Sequence, residues 1–448
     1  MEVYFKEKLE NKEIKISIFG LGYVGLPLFV NLMKIKKDTI GFDIDDTKLT
    51  KLKNKLSYID DVENSEIEEL ILKKENLSDD YEFTIFNSDI SFIALPTPVN
   101  LHGVPNLDAI YEVIRNIGVI IKRKKSPHII VLESTTYPST TDVDLNDILK
   151  SMDLIEDRDY ALVYSPERID PGNKNFNVTN IPKLVGTSND NAFAVTQKIY
   201  NEYLGINIFR ASSARVAEFT KLFENIFRQV NIALVNELSL LAEKLQIDMF
   251  EVVNLASTKP FGFLPHYPGP GLGGHCIPVD PYYMSHIAKK YYFNTKFINL
   301  SSEVNDSMRD HTVNLIKLGL SRVNKSINGA NIGILGYSYK PNISDSRNSP
   351  AKIICEKINN LGGEVLIHDE YIEKNINLNF KSLEEIEKFS DIIVIITPHS
   401  NIDYEKLIRR LDIKIPLIDT RGTIPFEMYR KFDIGLGRPI DEFKLSSS

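Results

Sequence analysis

Cysteine is scarce in this sequence: Cys276 and Cys355 are the only two among 448 residues. Two thiols cannot build a disulfide framework, so the fold must hold by packing, as expected in a reducing compartment. Long apolar runs are also missing. The longest, around Ile129–Leu132 and Ile392–Ile396, fall far short of the about 20 residues that a membrane helix needs. The opening residues, MEVYFKEKLENKEIK, are charged and hold no apolar stretch like that of a signal peptide. No basic tail or stripe occurs, and a net charge of −8 argues against a nucleic-acid surface. The histidines are scattered, and neither C-x-x-C nor H-E-x-x-H is present, so no metal site is indicated. With 43% hydrophobic and 25% charged residues, the profile is that of a globular cytoplasmic enzyme. Its length exceeds one ordinary core, so two or three domains are expected, with no nucleic-acid or membrane partner.

Organisation along the chain follows from periodicity. Lys15–Phe19 reads as a short buried strand, followed by a glycine turn and an apolar helix from Val24 to about Met33. Further strands are expected at Thr39–Phe42, Ile90–Leu95, Ile129–Leu132 and Ala161–Tyr164. Strands alternating with helical segments predict a parallel, doubly wound α/β sheet. From Ser213 to Ala256 there is no Gly or Pro, and apolar residues recur at helical spacing, which predicts one long helix or two in succession. The loop from Lys259 to Pro281 is too rich in Pro and Gly to be helical throughout. From Asn331 the first pattern returns, with strands at Asn331–Leu335 and Glu364–His368; IIVIITP (Ile392–Pro398) echoes IALPTP (Ile93–Pro98), and PLIDTRG supplies another strand end. A helix through Ile353–Asn360 lies between the first two. This second α/β domain keeps Gly333 and Gly336 at its first turn but lacks a complete fingerprint.

Gly20-Leu21-Gly22-Tyr23-Val24-Gly25 is a complete G-x-G-x-x-G between a strand and a helix. Gly20 permits the tight turn, Gly22 lets the backbone approach a pyrophosphate, and Gly25 allows close helix–strand packing. Asp43 ends the next strand, about 20 residues on, where a carboxylate accepts from ribose hydroxyls and repels a 2′-phosphate. That combination favours NAD over NADP. Thr97 in ALPTP and Thr135 in ESTTYP fall at predicted strand ends, serving either a ligand or ordinary turn chemistry. Glu218, Lys221, Asn225 and Arg228 share one face of the long helix, which is either solvated or turned to a cleft. Cys276, in GPGLGGHCIPVDP, is either a small buried hydrophobe or a thiol presented on exposed backbone amides. Asp280, four residues on, can orient a base or a water if a helix begins there. Cys355, inside AKIICEKI, reads as core.

In order along the chain, IFGLGYVGLPL, GFDID, ALPTP, ESTTYPSTT, SPERIDPGN, EFTKLFENIFRQVNIALVNEL, PGPGLGGHCIPVDP and ILGYSYKPNISDSRNSPA resemble the UDP-glucose/GDP-mannose dehydrogenase family. The resemblance covers nearly the whole chain. It implies an α/β fold of two Rossmann-like doubly wound domains joined by a long central helix, which also forms the interface of a homodimer. The expected boundaries are 1–205 for an NAD-binding domain and 206–315 for a central helical and dimerisation region with the cysteine loop. A UDP-sugar-binding domain is expected over 316–448.

The same resemblance implies roles. Cys276 is the thiol that captures the C6 aldehyde, and Lys221 and Asn225 stabilise the oxyanions. Asp280 and Thr135 position the hydrolytic water, and Glu167 is its general base. The cofactor NAD is expected at Gly20, Gly22, Tyr23, Val24, Gly25, Asp43, Lys48, Thr97, Thr135 and Arg347. A UDP-sugar substrate is expected at Glu167, Arg168, Ile169, Lys221, Asn225, Arg228, Tyr267, Gly273 and Lys340. Lys183, in IPKLVGT, stands where such proteins often have Arg, a change expected to alter a local ion pair without touching a catalytic role.

The residue before the cysteine, His275, and the SPERIDPGN segment resemble the branch acting on UDP-N-acetylhexosamines; UDP-glucose enzymes usually carry Ser there. GYVGLPL with SYIDDV points to UDP-N-acetylglucosamine. UDP-N-acetylmannosamine, UDP-N-acetylgalactosamine and UDP-glucose are the alternatives. A two-electron NAD dehydrogenase of the β-hydroxyacid type would have no use for the cysteine loop or the second α/β domain. A non-catalytic NAD or UDP-sugar sensor would not need thiol, lysine, asparagine and acid together.

Overall fold

A computed structural model describes the chain except residues 60, 71, 101–102, 169–179, 375–377 and 441–448. Two compact units emerge: Met1–Glu224 with Tyr282–Asn294, and Asn225–Pro281 with Thr295–Ser448.

In the first unit, the strands are β1 (Ile16–Phe19), β2 (Ile40–Phe42), β3 (Leu77–Ser78), β4 (Ile90–Ile93), β5 (His128–Leu132), β6 (Tyr160–Tyr164), β7 (Lys183–Gly186) and β8 (Ile208–Ala211). They form one sheet in the order β3-β2-β1-β4-β5-β6-β7-β8. Every pairing is parallel except β6 with β7, which meet antiparallel at Tyr164 and Gly186. Sheet growth reverses direction between β1 and β4, and at such a switch point a crevice opens beyond the strand ends. Helices cover both faces, so ISIF of β1 and HIIVL of β5 are buried at every residue. The helix Asp108–Lys124 shows why these segments pack. Ile110, Val113, Ile114, Ile117 and Ile121 make one buried stripe. Each contributes about 1.5–3 kcal/mol. Lys122, Arg123 and Lys124 complement the dipole of its last turn, and Lys125 ends it in a left-handed conformation (φ 58°).

In the second unit, β9 (Asn331–Leu335), β10 (Glu364–His368), β11 (Ile392–Ile395), β12 (Leu417–Asp419) and β13 (Ile434–Gly435) form a parallel sheet in the order β10-β9-β11-β12-β13. Its direction reverses between β9 and β11, the flavodoxin-like order. The expected fold class is what the chain adopts: two doubly wound α/β sheets and a long central helix, Ala214–Leu245. That helix stops where Gln246 turns left-handed (φ 57°), and Asp248 caps a second helix, Met249–Ala256, through the N–H groups of Phe250 and Glu251. Two helices in succession is therefore the arrangement.

The strand expected at Ile90–Leu95 ends at Ile93. Leu95 donates its N–H to Ser134 Oγ at 2.9 Å instead of continuing the ladder, and prolines follow at 96 and 98. Among the described residues no helix is long and apolar enough to cross a membrane. No cluster of three or more His, Cys, Asp or Glu that could hold a metal occurs among them.

Candidate active site

The fingerprint turn sits at the first switch point. Gly20 has φ +90°, and a Cβ there would lie 2.6 Å from the carbonyl oxygen of Ala94. A Cβ on Gly25 would lie 1.8 Å from Gly20 O, whereas one on Gly22 would meet nothing within 4 Å. Gly25 is thus a packing requirement, whereas Gly22 borders open space. Gly25 opens the buried helix Gly25–Ile35, next to Tyr23 and Val24. Asp43 accepts from Leu21 N (2.8 Å) and Lys48 Nζ (2.9 Å) on Oδ2 and from Asp45 N (3.0 Å) on Oδ1. The acid thereby ties the turn to β2 and is paired with Lys48, while Oδ1 keeps lone-pair capacity for a further donor.

Thr97 and Thr135 are half-buried beyond β4 and β5, and Tyr283 donates its hydroxyl to Thr97 O. Next to Thr135, Glu133 is buried and accepts from Lys183 Nζ (2.7 Å) and Tyr200 OH (2.5 Å). The same ammonium lies 3.2 Å from Glu167 Oε2. Burial alone would discharge Lys183, but two facing carboxylates hold its pKa above the usual lysine value. The expectation that Lys183 touches no catalytic candidate is therefore corrected: the ammonium on β7 reaches the loop beyond β6. Arg168 donates its backbone N–H to Glu167 Oε1 (2.6 Å), and its guanidinium is engaged by Glu224 and Pro182 O. Ile169 lies outside the described residues.

The polar face of the long helix divides. Glu218, Lys221 and Asn225 are buried, at 0%, 8% and 6% exposure, while Arg228 is exposed. A wholly solvated face is thereby ruled out. Glu218 accepts from Ser139 N (2.8 Å), Thr141 N (2.9 Å) and Thr141 Oγ1 (2.7 Å), anchoring the turn after ESTTYP to the helix. Burial pushes its carboxyl up to about 7, against the pull of those donors.

In the second unit, Asn225 Nδ2 donates to buried Asp280 Oδ2 at 2.6 Å. Asp280 opens the helix Asp280–Lys290, and Cys276 stands one turn before it, its carbonyl accepting from Val279 N (3.0 Å) and Asp280 N (2.8 Å). The thiol is half-buried. Its loop is held by Gly274 N to Arg347 O (3.1 Å) and by Asn348 Nδ2 to Gly274 O (3.0 Å). Tyr339 explains the paired glycines: a Cβ on Gly273 or Gly274 would lie 2.7 or 2.8 Å from that side chain. Arg347 chelates Asp345 and reaches His275 Nδ1 at 3.3 Å. Lys340 follows Tyr339, with its carbonyl accepting from Ser338 Oγ (2.9 Å). Cys276, Asp280, Asn225, Gly273 and Arg347 are thus gathered around one loop. Tyr267 stands apart from these contacts, exposed, with its hydroxyl on Asn254 Oδ1 (2.8 Å) and its ring stacked on Phe250.

Sequence reasoning does not single out Glu133, Tyr200 or Arg421. Arg421 follows β12 at a strand end, donates to Ile396 O (3.2 Å), and packs so closely that a Cβ on Gly269 would lie 2.3 Å from its guanidinium. The DTRG segment, a strand end with an arginine, was the available signal for it. Cys355 is buried, and burial pushes its thiol up to about 12, as suits a core residue.

A dinucleotide fingerprint at a switch point, joined in one chain to a second doubly wound sheet and a built cysteine loop, defines a nucleotide-dependent oxidoreductase. Residues 14–204, 215–307 and 333–425 match the NAD binding, central and UDP binding domains of the UDP-glucose/GDP-mannose dehydrogenase family. The chain belongs to that family and is an NAD-dependent UDP-sugar dehydrogenase. It is 32% identical over 419 residues to the protein CapL of Staphylococcus aureus, covering 91% of this chain and 96% of that one. It is 33% identical over 363 residues to UDP-N-acetyl-D-glucosamine 6-dehydrogenase of Salmonella typhi, covering 81% and 83%. The solved structure of UDP-D-ManNAc dehydrogenase from Pyrococcus horikoshii superposes with a TM-score of 0.84 at 29% identity, covering 95% of this chain and 99% of that one.

Proposed function

We propose that this enzyme oxidises the C6 alcohol of a UDP-N-acetylhexosamine to the carboxylate in two successive oxidations, with UDP-N-acetylglucosamine as substrate. The observation that carries the reading is the loop that presents the Cys276 thiol one turn before Asp280, whose carboxylate is fixed by Asn225. NAD⁺, held at the fingerprint turn, would supply a hydride acceptor for each oxidation. Between the oxidations the aldehyde carbon bonds to Cys276 sulfur, so no free aldehyde leaves. Lys221 and Asn225 stabilise the alkoxide and the tetrahedral oxyanion. Thr135 and Asp280 position the water that cleaves the thioester, and Glu167 takes its proton. Gly20, Gly22, Tyr23, Val24, Gly25, Asp43, Lys48, Thr97, Thr135 and Arg347 hold the cofactor. Glu167, Arg168, Ile169, Arg228, Tyr267, Gly273 and Lys340 hold the sugar nucleotide with Lys221 and Asn225, cations suiting its diphosphate.

The sugar assignment is supported by His275 before the cysteine and by the likeness to the Salmonella typhi protein. Cys276→Ser tests the covalent step: acid formation should fall by several orders of magnitude, and no thioester adduct should be found by intact-protein mass spectrometry. Full turnover to the acid would refute it.

The enzyme acts as a cytoplasmic homodimer in the synthesis of a surface polysaccharide or glycan. The dimer is supported by the exposed stripe Phe227, Leu234, Leu238, Leu241 and Leu245 on the long helix, at roughly heptad spacing.

A further inference from the structure

The catalytic roles proposed so far leave a buried ionic cluster without a purpose. Lys183 and Glu133 have side chains 3% and 1% exposed, an expensive location for two charges. The pair could be closed on itself, yet Lys183 also reaches Glu167, whose side chain is 16% exposed and so stands at the edge of the cluster. Tyr200, fully buried, holds the other oxygen of Glu133, and its ring lies 5.2 Å from the Lys183 ammonium. Glu133, Lys183 and Tyr200 come from the end of β5, from β7 and from the helical segment before β8. Through Lys183 the cluster reaches the Glu167 carboxylate, whose other oxygen accepts from the Arg168 N–H.

We propose that Lys183, itself fixed by Glu133 and Tyr200, is the positioning residue that aims the Glu167 carboxylate at the hydrolytic water. This rests on the reading of Glu167 as the general base. Water oxygen bonds to the thioester carbonyl carbon while one of its protons passes to Glu167. The tetrahedral intermediate then collapses with cleavage of the C–S bond, and the electron pair leaves on Cys276 sulfur. The acid proton of the product returns to that thiolate, and Glu167 releases its own to solvent. No oxidant enters this step. Losing Lys183 would therefore slow hydrolysis selectively, leaving both preceding oxidations intact.

The test is a pre-steady-state burst experiment with NAD⁺ and UDP-N-acetylglucosamine in excess over enzyme, following NADH by absorbance and the Cys276 adduct by intact-protein mass. Glu167→Gln, Lys183→Met, Lys183→Arg and the double variant Glu133→Gln/Lys183→Met are compared. The double variant removes one charge of each sign and carries the test if Lys183→Met does not fold. The expected result is a fast release of two NADH per site followed by steady turnover slowed about tenfold to a hundredfold, with the thioester accumulating. Lys183→Arg, which keeps the charge, should recover most of the turnover. If Glu167→Gln accumulates thioester but the Lys183 variants lose only thermal stability, the positioning role is wrong and the base assignment stands. If Glu167→Gln accumulates none, the base assignment falls and takes this proposal with it.

Discussion

At the scale of single residues, carboxylates act as their neighbours dictate. Asp43 spends part of its hydrogen-bonding capacity on the fingerprint turn and Lys48, and the rest is proposed to meet the ribose. Asp43→Ala should therefore weaken NAD⁺ binding by about tenfold or more, read by calorimetric titration, since at least one charge-assisted hydrogen bond is lost. Unchanged affinity would remove Asp43 from the cofactor site. Glu218 makes a pH prediction. Its folded value is raised from 4.5 to about 7 by burial, so the stability it contributes is full in acid and is lost as pH rises through 7. The linked loss is about 3 kcal/mol. Denaturant unfolding of the native protein and Glu218→Gln should accordingly show the native protein losing ground to the variant between pH 4.5 and 7.5. A constant difference across that range would mean the carboxyl is not perturbed. None of this was legible beforehand for Glu218, because periodicity places a residue on a face without saying what covers it.

At the scale of elements, local motifs read well and long-range pairings read poorly. The strand, turn and helix from β1 to Ile35 are specified by neighbours in sequence, and the glycine spacing announces them. The same holds for β9, whose turn at Gly336 brings the backbone to Thr397, where a Cβ would lie 2.0 Å from the carbonyl oxygen. By contrast β3 is two residues long, β8 is half-exposed, and β7 joins β6 through a single antiparallel pairing. Such strands exist because the sheet edge accepts them, a tertiary fact with no period to detect. The partners of Lys183 are hidden for the same reason: the sequence marks it only for a local ion pair, and Glu133 lies 50 residues away. Tyr339 packing on Gly273 and Gly274 was equally hidden. The glycine contrast can be tested directly. Gly25→Ala should lower the melting temperature, because its methyl group meets Gly20 O, whereas Gly22→Ala should fold normally and lose NAD⁺ affinity. Equal melting temperatures for the two variants would contradict these separate roles.

At the scale of the whole molecule, two doubly wound sheets of different strand order divide the work between an NAD binding and a UDP binding domain. The exposed leucine stripe supplies the proposed dimer contact, and Leu238→Asp/Leu241→Asp should convert the protein to a monomer by light scattering. A monomeric native protein would dismiss that surface as an interface. The proposed four-electron, thiol-linked oxidation is decided by the NADH formed per sugar at completion. UDP-N-acetylglucosamine, UDP-N-acetylmannosamine, UDP-N-acetylgalactosamine and UDP-glucose would be offered separately to the enzyme with excess NAD⁺. Two NADH per UDP-N-acetylglucosamine consumed is the expected result; one NADH per sugar, with free aldehyde as product, would rule the thiol-linked route out.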